Sequence, residues 1–144
     1  MKFVKITTVL LSLIALLTGA MDVIVGVAGQ ANTGVGAAAR APFDPVLDSQ
    51  VRFLGAVWLG LGAIQLVCLG DLRRYGTILQ LCFAIVVLGG IGRALSLAQA
   101  GLPEDDIGPA FITVALVIEL FLVPLAWATF RRATLADEHM GLKR

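Results

Sequence analysis

Four apolar runs of roughly twenty residues, separated by short polar connections, constrain this chain more than anything else in it. A backbone in hydrocarbon must satisfy its own hydrogen bonds, so runs of this length are predicted to fold as membrane-spanning helices. Inside or at the edges of the runs stand four charged side chains: Asp22, Arg52, Arg93 and Glu119. Ionisable groups at such depths are costly unless they are partnered, which makes these four the candidate working interior.

The composition agrees with the pattern. The chain is 58% hydrophobic and only 15% charged, with a mean hydropathy of +0.92, far from the balance of a soluble domain. Its 144 residues hold four spans and short connections as one membrane domain over 1–144, with no room for a soluble catalytic module. A net charge of +1 gives no long-range field for nucleic acid, and that function class is excluded.

The spans are predicted at about 6–28, 51–69, 77–98 and 110–130. The first follows Lys2 and Lys5 and also resembles a secretory signal, with Thr18-Gly19-Ala20 as a small-residue cleavage site. The apolar character continues through Val23, Ile24, Val25 and Val27, so a retained helix is expected. Residues 29–43, rich in Gly and Ala, read as a loop. Asp44 is placed to cap the next helix and Pro45 fits its first position, where no N–H is needed. That helix exceeds the hydrocarbon thickness, so Arg52 is expected near the membrane edge. The connections at 70–76 and 101–106 are short enough to set consecutive helices antiparallel. The result is an all-α, four-helix transmembrane bundle.

Orientation follows from basic flanks. One side receives Lys2, Lys5, Arg73, Arg74, Arg131, Arg132, Lys143 and Arg144, and the other Arg40 alone. Both termini are therefore predicted cytoplasmic, with Tyr75, Trp127 and Phe130 near that boundary, in a multi-pass protein of a bacterial inner membrane. In this topology Asp22, Arg52 and Arg93 fall in the outer half. Glu119, about nine residues into the last span, lies deepest, ~14 Å down. The expected pairings are Asp22 with Arg52 or Arg93, and Arg93 with Glu119. Such a network either fixes helix register or faces a ligand, and both readings stay open.

Small residues surround these charges. Thr18, Gly19 and Gly26 stand about a turn from Asp22, and Gly89 and Ser96 flank Arg93. Gly90, Ala94 and Ala98 form a second ladder, and Ala56 and Gly60 a third. Pro124 removes the backbone bond to the Leu120 carbonyl, which predicts a kink just after Glu119.

The segments Asp48-Ser49-Gln50-Val51-Arg52-Phe53-Leu54-Gly55, Trp58-Leu59-Gly60-Leu61-Gly62 and Gly89-Gly90-Ile91-Gly92-Arg93-Ala94-Leu95-Ser96, with Gly101 and Pro103, resemble the bacterial family catalogued as domain of unknown function 4345. That family is grouped with DoxX-like four-helix membrane proteins. The resemblance covers most of the chain, implies a four-span fold and draws attention to Arg52, Arg93 and Glu119. It supplies no activity.

Some DoxX-like relatives are linked to sulfur or quinone metabolism, so the resemblance raises redox chemistry as a candidate role, for which the residues offer little. Cys68 and Cys82 are not a Cys-x-x-Cys pair and read as small apolar residues. The single histidine, His139, lies in the polar tail, so no span offers an axial imidazole for haem. No metal site, cofactor or nucleophile–base pair is predicted, and an enzyme is not expected. The leading expectation is an accessory subunit of a larger membrane complex or a bundle that binds a lipid-like ligand. The alternatives are a small proton-coupled transporter using Glu119 or Asp22, and a quinone- or thiol-linked oxidoreductase partner. Membrane lipid and a larger complex or homo-oligomer are the expected partners.

Overall fold

The computed structural model describes residues 1–32, 44–103 and 107–141, with side chains described for all of these except 30–32 and 137–141. It contains α1 (Lys2–Val25), a short α2 (Val27–Asn32), α3 (Pro45–Gly70), α4 (Gly76–Ala100) and α5 (Gly108–Val117). The chain then widens through a π-helical turn (Ile118–Leu122) into α6 (Val123–Gly141). Among the described residues four helices are long and apolar enough to cross a membrane: α1, α3, α4 and the fused unit of α5, the π turn and α6. Around the bundle α1 packs on α3, α3 on α4, and α4 on the fused fourth span, whose α6 portion returns to α1.

Local chemistry explains the ends. Asp44 caps α3 with extended backbone, its carboxylate accepting the Val46 N–H at 2.9 Å while Pro45 occupies the first turn, as the residue types require. Between α3 and α4 the Asp71 Oδ1 accepts the backbone N–H groups of Arg73 and Arg74, each at 3.0 Å, so the carboxylate closes the basic turn. The first helix stops at Gly26, where φ is +63° and ψ −146°, a combination that essentially only glycine adopts. Beyond it, Gly29–Asn32, expected to belong to a loop, are helical. The rest of that expected loop, with Arg40, and the acidic residues 104–106 lie outside the described residues.

Burial is concentrated in the half of the bundle that holds the N-terminus, the 71–75 turn and α6, called the inner half after the predicted orientation. On α1 the buried residues Val4, Thr8, Leu11, Ala15 and Gly19 recur every three or four positions, the spacing of a helix–helix seam. Val4 and Leu11 share one core cluster with Leu61 and Cys68 of α3, Leu79, Phe83 and Val86 of α4, and Val123, Ala126 and Phe130 of α6, all buried. The polar groups in this core are partnered. Thr8 and Ser12 donate to carbonyls one turn back, and Ser12 also donates to Gln65 Oε1 at 3.4 Å. Trp58 Nε1 donates to Thr18 at 2.9 Å and Trp127 Nε1 to Gln80 at 3.2 Å, so neighbouring helices are tied by hydrogen bonds that hydrocarbon cannot supply. The outward faces carry large apolar side chains such as Ile6, Leu17, Ile24, Leu88 and Phe121, as expected where lipid is the solvent.

Glycines set the closest approaches. A Cβ added at Gly19 would stand 2.7 Å from both the Gly55 carbonyl oxygen and the Leu59 nitrogen, so α1 and α3 touch backbone to backbone. Gly62 repeats the contact lower down, against Ala15 and the Ser12 carbonyl. Gly90 serves α4, where a Cβ would meet that of Glu119 at 2.7 Å. The expected ladder of Ala56 and Gly60 is not a packing face: Ala56 is exposed and nothing lies within 4 Å of a Cβ at Gly60. The same openness holds at Gly89 and Gly92, because the rotation of α4 that brings Gly90 inward turns both outward.

Candidate functional site

Of the four charged residues, Arg93 and Glu119 are brought together. Arg93 donates from Nε to Glu119 Oε2 at 3.1 Å and from Nη2 to Oε1 at 3.2 Å, a two-pronged match of guanidinium to carboxylate. Arg93 is seven residues from the C-terminal end of α4, ~10 Å along the axis, and Glu119 eleven residues from the start of α5, ~16 Å. Gly90, one turn before Arg93, lets the two backbones approach closely enough for the pair to close. The guanidinium carbon also lies 5.6 Å from the Phe111 ring centroid, within cation–π range.

The exposures of the two partners differ. The Glu119 side chain is 12% exposed and that of Arg93 34%. Glu119 is thus the more enclosed partner, and the Arg93 side chain the more open one, in the half of the bundle where burial is lowest. Among the described residues, the Arg93 bonds use Nε and Nη2, so Nη1 still has two N–H groups to give.

Glu119 is positioned by the π turn. The Val123 N–H reaches back to the Ile118 carbonyl, five residues rather than four, and the widened turn lies directly before Pro124. A proline at 124 has no N–H for the Leu120 carbonyl, and the backbone accommodates this by opening one turn into π geometry. The kink expected from the sequence is therefore a local change of helix type, and Glu119 projects from it.

Arg52 is set against a different carboxylate from the one expected. The carboxylate set against Arg52 is Asp48, one turn earlier on α3, at 2.7 Å. The Nη1 of Arg52 donates to the carbonyls of Val23 and Ile24 at 2.8 and 3.0 Å, closing the C-terminal end of α1. Asp48 in turn accepts the Val27 N–H at 3.0 Å and so caps α2. The pair is a clasp across the break at Gly26, where any Cβ would run into Asp48 Oδ1 and lie 2.9 Å from Arg52 Nη2. Asp22 is part of the same α1–α3 contact, its Cβ lying 2.5 Å from where a Cβ on Gly55 would stand. Asp48 was not among the candidate residues. The i, i+4 spacing of Asp48 and Arg52 was the available indication, but a carboxylate close to the predicted membrane edge reads from sequence as a solvated group.

Cys68 and Cys82 are free and buried in the core. Among the described residues no group of three His, Cys, Asp or Glu side chains is arranged to hold a metal ion, and the side chain of His139 lies outside the described residues.

A family profile described as Domain of unknown function (DUF4345) matches residues 3–130, which takes in most of each of the four spans and both of the ion pairs among the described residues. The chain belongs to that family. Its members are defined by sequence, not by activity, so membership accounts for the shared architecture and leaves the chemistry to the site. No curated protein and no solved structure matches the chain.

Proposed function

We propose that this small multi-pass membrane protein binds a lipid-like ligand whose polar end accepts hydrogen bonds from Arg93. The single observation that carries the reading is the lopsided pair: an enclosed Glu119 held by an Arg93 side chain that is one-third exposed and lies beside Phe111. Because the pair is already neutral, an un-ionised acceptor such as a carbonyl or hydroxyl suits it better than a second anion, which would compete with Glu119 for the cation. The apolar remainder of the ligand would lie against the sparsely buried α5, where Phe111, Val114 and Val117 are exposed.

The test is to purify the protein in mild detergent and identify by mass spectrometry the apolar compounds that accompany it. The wild type is expected to carry one class of neutral-headed amphiphile, and the Arg93→Leu/Glu119→Leu variant, which keeps the charge balance, to have lost it. Equal occupancy in both would end this reading. An accessory subunit of a larger membrane complex is the second reading, favoured by the exposed Gly89, Gly92 and Ser96, which leave a smooth strip on α4 for another helix. A reproducible protein partner lost in Gly92→Leu would establish it. Substrate-driven proton flux that disappears in Glu119→Gln would instead establish a transporter, and quinone turnover an oxidoreductase partner.

We also propose a bacterial inner membrane with both termini cytoplasmic, the orientation being supported by the eight-to-one distribution of basic residues. In a Cys68→Ala/Cys82→Ala background, Leu102→Cys is expected to react with an impermeant thiol reagent added outside intact cells, and Arg73→Cys only after lysis. The reverse pattern would invert the topology.

A further inference from the structure

We infer that the protein holds an anionic phospholipid of the inner leaflet in the groove between α3 and α4, with its headgroup at the Arg73–Arg74 turn. This site is separate from that of Arg93. The groove has a volume of about 320 Å³ and a wholly apolar surface formed by Ala63, Ile64, Val67, Cys68, Tyr75 and Ile78. Its α3 wall runs five residues, ~8 Å, which suits a stretch of one acyl chain.

What selects the occupant is the mouth of the groove. Tyr75 lines it, and the Arg74 guanidinium carbon lies 5.3 Å from the Tyr75 ring centroid, so a cation is held over the residue that ends the apolar channel. Arg73 and Arg74 are both exposed. Asp71 is engaged through Oδ1 with their backbone N–H groups, which fixes the shape of the turn and the place of Arg74 beside the groove. The antiparallel topology adds Lys2 and Lys5 at the start of α1 and Arg131 and Arg132 on α6 to the same end of the bundle. A basic mouth over an apolar slot between two membrane helices matches a lipid with a negative headgroup, and an amphipathic tyrosine at the junction marks the headgroup level.

The full chain, reconstituted in vesicles of phosphatidylcholine with a minority of phosphatidylglycerol and released in mild detergent, is examined by native mass spectrometry. Phosphatidylglycerol is expected to be retained in preference to phosphatidylcholine. Arg74→Gln should lower that preference about fivefold, the effect of one basic residue near an anionic surface. Ala63→Phe, at an exposed position on the groove wall, should remove bound lipid of both kinds while the protein stays monodisperse. The Arg93→Leu/Glu119→Leu variant should retain phosphatidylglycerol as the wild type does, which separates this site from the proposed outer one. Equal retention of the two lipids, or a preference untouched by Arg74→Gln, would overturn the inference. So would a dimer that Ala63→Phe abolishes, since the groove would then belong to a second copy of the chain.

Discussion

Replacing Gly19 by leucine is expected to dismantle the α1–α3 pair and cost the protein about 3 kcal/mol, the upper part of the range for overpacking a core. The groups a new Cβ would meet are the Gly55 carbonyl oxygen and the Leu59 nitrogen, both at 2.7 Å. These are helix backbone atoms and cannot swing aside as a side-chain tip can, so the two helices must move apart. Separation would also break the Trp58–Thr18 and Ser12–Gln65 hydrogen bonds, which depend on the same approach. Gly60→Leu and Gly92→Leu serve as controls, because nothing lies within 4 Å of a Cβ at either position. Each control should unfold at or slightly above the wild-type temperature, since a helical glycine is itself a little destabilising. Thermal unfolding in detergent reads all three, and a Gly19→Leu protein as stable as its controls would refute the backbone contact.

The second large effect is expected at Arg93. Arg93→Leu removes the only described partner of a carboxylate whose side chain is 12% exposed, and should destabilise the bundle by about 3 kcal/mol, as for other broken buried pairs. Glu119→Gln should be milder, because the Arg93 side chain left behind is already one-third exposed and keeps the Phe111 ring beneath it. The Arg93→Leu/Glu119→Leu protein should also be more stable than Arg93→Leu alone, since it leaves no orphan charge. Additive losses across this cycle would mean that the two groups do not interact in the folded protein. Arg93→Lys offers a finer measure: an ammonium cannot reproduce the two parallel bonds from Nε and Nη2, so part of the loss should remain although the charge is kept.

Much of the architecture was legible because it depends on short-range chemistry. Length and hydropathy set four spans, and the Asp44-Pro45 pair set the start of α3 to the residue. The Arg93–Glu119 pair was also accessible. Two antiparallel spans joined by a short connection put a long side chain and a deep carboxylate within reach, and hydrocarbon leaves them no other choice of solvent.

The partner of Arg52 was not accessible in the same way. The sequence offered Asp22 as a buried acid at similar depth, while the fold ends α1 at Gly26 and exposes two carbonyls that a guanidinium on α3 can close, with Asp48 steering it. The glycines make the same point. Gly89, Gly90 and Gly92 are indistinguishable by composition, yet only Gly90 meets another helix. Hydropathy determined by itself that four helices form, roughly where each begins and ends, and that their charges must be partnered. Which face of each helix turns inward, and so which small residue becomes a contact and which arginine keeps an open edge, was decided by tertiary packing. A neighbouring backbone fixes the rotation of a helix about its own axis, and no local preference of the chain encodes that angle.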